Sequence, residues 1–202
     1  IGRTISALDA LFLRARKAGA GRAFAFGTSA LRDARNPEEI LDYCRGQGVA
    51  FEIVSGEKEA LLAYLGATGE KNESGRVGVL DIGGGSAEIT IGESGRVLSA
   101  DSAPIGAVRL RDEMLRIEPR FGEAHLEKAI ARAKAALLPV WQKAALPCGK
   151  WLGVGGTITA ITRLEQKKYN ALPRFGAQAW AKRLFDVDAE QSVALYGVEP
   201  DR

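Results

Sequence analysis

The stretch Val79-Leu80-Asp81-Ile82-Gly83-Gly84-Gly85-Ser86-Ala87-Glu88-Ile89-Thr90-Ile91 decides how the rest of the chain is read. An apolar run ends in an acid, three glycines and a serine, and a second run with alternating, β-branched residues follows. That period is the strand period, so the glycines join two strands and do not open a helix. A dinucleotide-binding fingerprint fits poorly, because it needs a helix after its glycines and another glycine at its last position. Three consecutive glycines remove every Cβ from the turn, so backbone N–H groups can gather in one concavity and meet a phosphate closely. Ser86 adds a hydroxyl donor. Asp81, at the strand end, offers the carboxylate oxygens that Mg2+ prefers beside substrate phosphates. The plainer reading of the same residues is a glycine-rich hairpin turn with a solvated aspartate.

Downstream, Val97 to Ala100 reads as a third strand after the turn Glu93-Ser-Gly95, giving an antiparallel meander. Helices are expected over about Ala107 to Leu115 and Glu123 to Lys143. A short strand, Trp151 to Val154, then enters Gly155-Gly156 and a helix opening at Thr157. Strand, glycine turn and helix start make an anion or nucleotide site at a helix N-terminus, or equally a turn for helix packing.

Upstream, Ile5, Leu8, Leu11, Phe12 and Ala15 recur at helical spacing, and Lys17-Ala-Gly-Ala-Gly ends that helix. Arg22 to Phe26 and Ala50 to Val54 read as strands. Between them, Asn36-Pro37-Glu38-Glu39 supplies an N-cap, a first-turn proline and two acids for a helix to about Gln47. Ser55 is the expected N-cap of a helix from Gly56 to about Leu65, with Glu57 and Glu59 in its first turn. Such acids complement the helix dipole, and a carboxylate beside a phosphate can instead take a proton from water. Arg32 and Arg35, in the loop after Phe26, have the fork geometry that clamps an oxyanion, or are exposed loop residues. The polar, glycine-rich, aperiodic run Gly66 to Gly75 marks a boundary: a first domain over 1–66, a linker over 67–75 and a second domain over 76–202. Alternating strands and helices give an α/β protein with mixed sheets.

Composition narrows the chemistry. At 202 residues and 46% hydrophobic, the chain can bury a sizeable core. No apolar run approaches the roughly 18 residues that span a bilayer, and a signal-peptide layout is missing, so a cytoplasmic protein without membrane contact is expected. Cys44 and Cys148 lack metal or disulfide spacing and read as buried small hydrophobes. His125, the only histidine, lies among charged residues in a helical stretch expected to be solvated. Catalysis must therefore use carboxylates. A formal charge of +3 favours anionic ligands but is too small to argue for nucleic acid.

Five segments, in order, carry a resemblance: Gly27-Thr-Ser-Ala-Leu-Arg32, Ser55-Gly-Glu-Lys-Glu-Ala60, Asp81-Ile-Gly-Gly-Gly-Ser86, Pro104-Ile-Gly-Ala-Val-Arg-Leu110 and Gly153-Val-Gly-Gly-Thr157. Together they resemble the exopolyphosphatase and guanosine pentaphosphate phosphohydrolase (Ppx/GppA) family over roughly residues 1–165. The resemblance implies an actin-like, ribonuclease-H-like fold, with two domains around a cleft and the first domain incomplete. It makes Glu59 the catalytic glutamate that activates water, Arg32 a phosphate contact, Asp81 a residue near Mg2+, and Gly83, Gly84, Gly85 and Ser86 the second of two phosphate loops. Gly155, Gly156 and Thr157 are the further phosphate-binding candidates. The implied reaction releases terminal orthophosphate from inorganic polyphosphate, or the 5′ terminal phosphate from guanosine pentaphosphate. Members are often homodimers.

Three departures stand out. The first phosphate loop of the family, on an earlier strand, is expected to lie before this chain. Lys58 replaces a usually acidic neighbour of the catalytic glutamate. Residues 166–194 do not follow the family pattern, and a final glycine-rich helix is expected beyond the chain. Two other classes stay open on sequence alone. One is a catalytically silent alarmone or nucleotide sensor, for which Lys58 is the hint; the other is an actin-like small-molecule kinase.

Overall fold

In the computed structural model, which describes residues 1–69, 75–115, 123–144 and 146–166, the first apolar stripe forms helix α1, Gly2–Lys17. Its last turn carries Arg14, Arg16 and Lys17, cations suited to the negative end of the helix dipole. Strand β1 (Phe24–Gly27), the one-turn helix α2 (Ser29–Arg32), helix α3 (Glu38–Gly46), strand β2 (Ala50–Ile53) and helix α4 (Gly56–Thr68) follow. Helix α3 starts later than its sequence suggests. Pro37 is the N-cap, and Asn36 instead donates from its side chain to Glu39 Oε1 at 2.6 Å. Pro37 already has the helical φ of −64° that its ring imposes, so it takes the flanking place.

The chain divides into two compact units, residues 1–59 and 60–202, with α4 running through the division. In the first, β1 and β2 pair in parallel, Phe24 opposite Ala50 and Gly27 opposite Ile53. Helices α1 and α3 bring Phe12, Ile40 and Cys44 together with Val49, and Ala25 and Phe51 of the strands pack against them. Cys44 is fully buried, as expected of a small hydrophobe, and burial pushes its thiol up. Cys148 is half-buried, and both cysteines are free.

In the second unit, strands β3 (Arg76–Ile82), β4 (Ala87–Glu93) and β5 (Arg96–Ala103) form the expected meander, each longer than its apolar run. Helices α5 (Ala107–Leu115) and α6 (Glu123–Lys143), strand β6 (Lys150–Val154) and helix α7 (Gly156–Gln166) complete it. The sheet order is β5-β4-β3-β6, antiparallel except for the parallel pair β3 and β6. Ala87, Ile89 and Ile91 of β4 point to one face and form the core with Ala103, Ile105, Val140 and Ala144.

The other face of β4 carries Glu88, Thr90 and Gly92. Thr90 donates its hydroxyl to the Ala60 carbonyl oxygen at 2.9 Å, and the buried Tyr64 lies over Gly92, beside an irregularity in the β4–β5 ladder. His125 departs from expectation: it is buried, at 4% exposure. Charged neighbours suggested solvent, but His125, Ala129, Ala133, Ala136 and Val140 share one helical stripe, and Ala133, Ala136 and Val140 of that stripe pack into the core. Trp141 of α6 and Trp151 of β6 stack, centroids 5.0 Å apart and planes at 16°, with Trp151 lying over Gly78. No helix among the described residues is long and apolar enough to cross a membrane. Part of the expected linker, residues 70–74, and the divergent tract from 167 onward lie outside the described residues.

A side chain at Gly92 has no room. Its Cβ would overlap the Tyr64 ring and hydroxyl and lie 2.7 Å from the Arg96 carbonyl oxygen. Gly92→Ala is therefore expected to destabilise the protein by about 1–3 kcal/mol, the usual cost of overpacking, read from the midpoint of urea unfolding.

Candidate active site

Open α/β sheets bind ligands beyond the carboxyl ends of their parallel strands. In the first unit those ends are Gly27 and Ile53. The chain turns at once after Gly27, so that α2 ends on Arg32, and it turns again after β2 into α4, which carries Glu59 one turn in. Arg32 Nη1 donates to Glu59 Oε2 and to the Val54 carbonyl oxygen, each at 2.8 Å. Both side chains are largely covered, 23% and 18% exposed. The arginine is thereby anchored to the end of β2, and it fixes the orientation of the carboxylate. Sequence spacing proposed these two residues separately; the fold makes them an ion pair. Arg35, the alternative clamp, is exposed, as is Glu57.

Ser55 caps α4 as expected, its Oγ accepting from the Lys58 N–H at 3.2 Å. Lys58 does not engage Glu59. Its ammonium donates to both carboxylate oxygens of Glu52 on β2, at 2.5 and 2.7 Å. The residue beside Glu59 thus forms a half-exposed surface pair with Glu52.

In the second unit the parallel strands β3 and β6 end in the two glycine turns. Gly83 donates its N–H to the Ser86 carbonyl oxygen at 3.0 Å, closing the first. Its other carbonyls are held from α5: Ala107 N–H donates to Gly83 O at 3.0 Å, Arg109 N–H to Gly84 O at 2.9 Å, and Arg109 Nε to Gly85 O at 2.6 Å. In a trans peptide the N–H points opposite to the carbonyl of the same unit, and no peptide among the described residues is cis. The N–H groups of Gly84, Gly85 and Ser86 therefore turn away from α5. Three amides turned from one support form the kind of array that accepts an anion. Gly84 is exposed, Gly83 and Gly85 are half-buried, and the Ser86 side chain is buried, at 4% exposure.

The second turn sits against Asp81. Gly155 adopts φ +91°, a left-handed conformation that favours glycine, and a Cβ there would lie 2.5 Å from Asp81 Oδ1. Gly155 also caps α7, its carbonyl oxygen accepting from the Thr159 N–H at 3.1 Å and the Thr159 hydroxyl at 3.0 Å. Gly156 is exposed and Thr157 half-buried. Asp81 and Glu88 are directly opposed in the β3–β4 register, so their side chains share one face. Glu88 is 1% exposed, and Ser102 donates its hydroxyl to Glu88 Oε1 at 2.8 Å. Sequence reading missed Glu88, because one acid in an alternating strand looks solvent-facing until both faces are known to be covered. It also left Arg109 without a role. Among the described residues, no group of three or more His, Cys, Asp or Glu could hold a metal ion.

Glycine turns at the carboxyl ends of parallel strands, in mixed sheets flanked by helices, fit the actin-like α/β class. The sequence profile of the Ppx/GppA phosphatase family matches residues 1–202, and the chain belongs to that family. It is 31% identical over 193 residues to exopolyphosphatase 2 of Mycobacterium tuberculosis, covering 87% of this chain and 60% of the relative. To the guanosine-5'-triphosphate,3'-diphosphate pyrophosphatase of Vibrio vulnificus it is 32% identical over 140 residues, 68% of this chain and 28% of the relative. The crystal structure of the Aquifex aeolicus member of the family superposes with a TM-score of 0.74 at 27% identity, covering all of this chain and 68% of that one. The chain thus spans about 60% of the first of these curated relatives.

Exposed ion pairs contribute little, so Lys58→Met is expected to change the stability of the fold by less than about 1 kcal/mol in chemical denaturation. A larger loss would show that the Lys58–Glu52 pair holds β2 to α4.

Proposed function

We propose that this protein is a Mg2+-dependent phosphoanhydride hydrolase that releases terminal orthophosphate from inorganic polyphosphate, from guanosine pentaphosphate at its 5′ end, or from both. The observation that carries the proposal is the Arg32–Glu59 pair at the carboxyl ends of β1 and β2. Glu59 is a carboxylate held in one orientation by a permanently charged partner, which suits a base that must take one proton from one water. Water attacks the terminal phosphorus, its proton passes to Glu59, and the bridging P–O bond breaks. Orthophosphate leaves, and the shortened chain keeps the bridging oxygen. Arg32 adds a positive charge suited to the spreading charge of a phosphoryl-transfer transition state. In the second unit the amides of Gly84, Gly85 and Ser86 are donors suited to phosphate oxygens, and the turn Gly155-Gly156-Thr157 offers a second set.

The donor set fits Mg2+. Two carboxylates facing each other across a strand pair repel unless a proton or a cation lies with them. Mg2+ is commonly held by one or two carboxylates, with waters and substrate phosphates filling its octahedron. Asp81 and Glu88 would hold it, and when bound it neutralises charge on the phosphate oxygens. The names of the relatives support the substrate class, one an exopolyphosphatase and the other a guanosine polyphosphate pyrophosphatase.

Orthophosphate release is the test, with long-chain polyphosphate and guanosine pentaphosphate offered separately, with Mg2+ and with chelator. Glu59→Gln is expected to lower kcat by about 10²–10⁴, the usual share of a general base, without loss of folding. Unchanged turnover would remove Glu59 from the mechanism. Asp81→Asn is expected to move the Mg2+ dependence to higher concentration. Binding of guanosine tetraphosphate with no release from either substrate would favour the silent sensor.

A further inference from the structure

An arginine beside a phosphate-type loop is ordinarily assigned to the phosphate, because its fork matches that geometry. Arg109 is used differently. It stands three residues into α5, and its Nε donates to the Gly85 carbonyl oxygen at 2.6 Å while its own N–H donates to Gly84 O at 2.9 Å. One residue thus holds two successive carbonyls of the glycine loop. The approach is possible because residue 106 has no side chain: a Cβ at Gly106 would lie 2.5 Å from the carbonyl carbon and oxygen of Gly84 and 2.6 Å from the Gly85 nitrogen. Those neighbours are backbone and cannot yield as a flexible side chain would.

We infer that Arg109 is a positioning residue that sets the direction of the Gly85–Ser86 peptide, and hence of the Ser86 N–H, while Gly106 lets α5 reach the loop. Glycine is the residue least able to hold its own conformation, so a loop of three needs an external restraint to keep an amide array formed before a ligand arrives. The carbonyl of the Gly85–Ser86 peptide is tied to Arg109, and its N–H faces the opposite way. Losing that tie leaves the peptide free to rotate and the array with two oriented amides in place of three. The inference rests on reading the loop as a phosphate site only for its catalytic consequence. The tie itself is independent of that reading.

Two substitutions separate positioning from direct charge. Glutamine places its side-chain amide nitrogen one bond beyond Cδ, as arginine places Nε, so Arg109→Gln keeps the donor without the charge. Arg109→Met keeps the apolar length without the donor. Hydrogen exchange of the amides bonded to the loop carbonyls, Gly83, Ala107 and Arg109, is measured in wild type and both variants, with KM and kcat for polyphosphate and the affinity for tripolyphosphate. The expected result is faster exchange at these amides in Arg109→Met. Its KM should rise about tenfold or more, as losing one hydrogen bond to a charged group implies, with kcat within about twofold and Arg109→Gln close to wild type. Gly106→Ala reaches the loop by another route and should speed exchange at the same amides, which covers the case that Arg109→Met fails to fold.

Exchange unchanged in both Arg109→Met and Gly106→Ala overturns the inference. So does equal loss of substrate binding in the Gln and Met variants with that exchange undisturbed, since the charge would then act on the ligand. Faster exchange with unchanged polyphosphate kinetics and tripolyphosphate affinity upholds the tie and removes the loop from the phosphate site.

Discussion

Strand β3 pairs antiparallel with β4 along one edge and parallel with β6 along the other, and the second unit depends on that double pairing. A parallel neighbour brings its carboxyl end to the same side of the sheet, whereas a hairpin partner begins where β3 stops. Both glycine turns therefore leave from one rim. The same pairing puts Asp81 opposite Glu88 and Val154. From Val154 the chain passes directly to Gly155, whose missing side chain lets the second turn close against the aspartate. A register slip of one residue in either ladder would send Asp81 to the face occupied by Ile89 and Ile91, where a carboxylate would be without polar company.

The first unit reaches a comparable arrangement with fewer parts. Its two strands are parallel, so both following turns lie at one edge, and the Arg32 guanidinium bridges them through the Val54 carbonyl and Glu59. That anchor resolves a tension in the sequence. A carboxylate near the start of a helix is normally held by the dipole alone and keeps its side-chain freedom. Glu59 is held by a planar donor that is itself tied to the main chain, so its rotamer is determined by the fold and not by the helix that carries it.

Much of this was legible in the residues because the two relevant periods differ. Alternation after Gly85 reads as a strand, and with the missing last glycine it made the dinucleotide-binding fingerprint the poorer fit. The five motif segments, taken in order, pointed to Glu59, Arg32 and Asp81 as candidates, and the fold brings the first two into contact. What the sequence did not carry were relations between side chains far apart in the chain. Arg32 bonding Glu59, Lys58 turning to Glu52, and Asp81 facing Glu88 each depend on register or on where a turn ends. Residue type alone does not encode these. His125 was misread for a related reason: local charge was weighed above the stripe running along α6 to Val140. The Asn36 cap failed because proline can take either of two adjacent places at a helix start with nearly the same backbone angles.

The stacked indoles of Trp141 and Trp151 have a consequence of another kind. Among the described residues strand β6 lies at the sheet edge, held by β3 on one side, and it leads directly into Gly155. Two aromatic chromophores 5.0 Å apart and 16° from parallel are coupled electronically, so their absorption and emission differ from those of isolated indoles. Seating of the edge strand, and with it the origin of the second glycine turn, is thereby written into the optical properties of the folded chain, where light can read it without any added label.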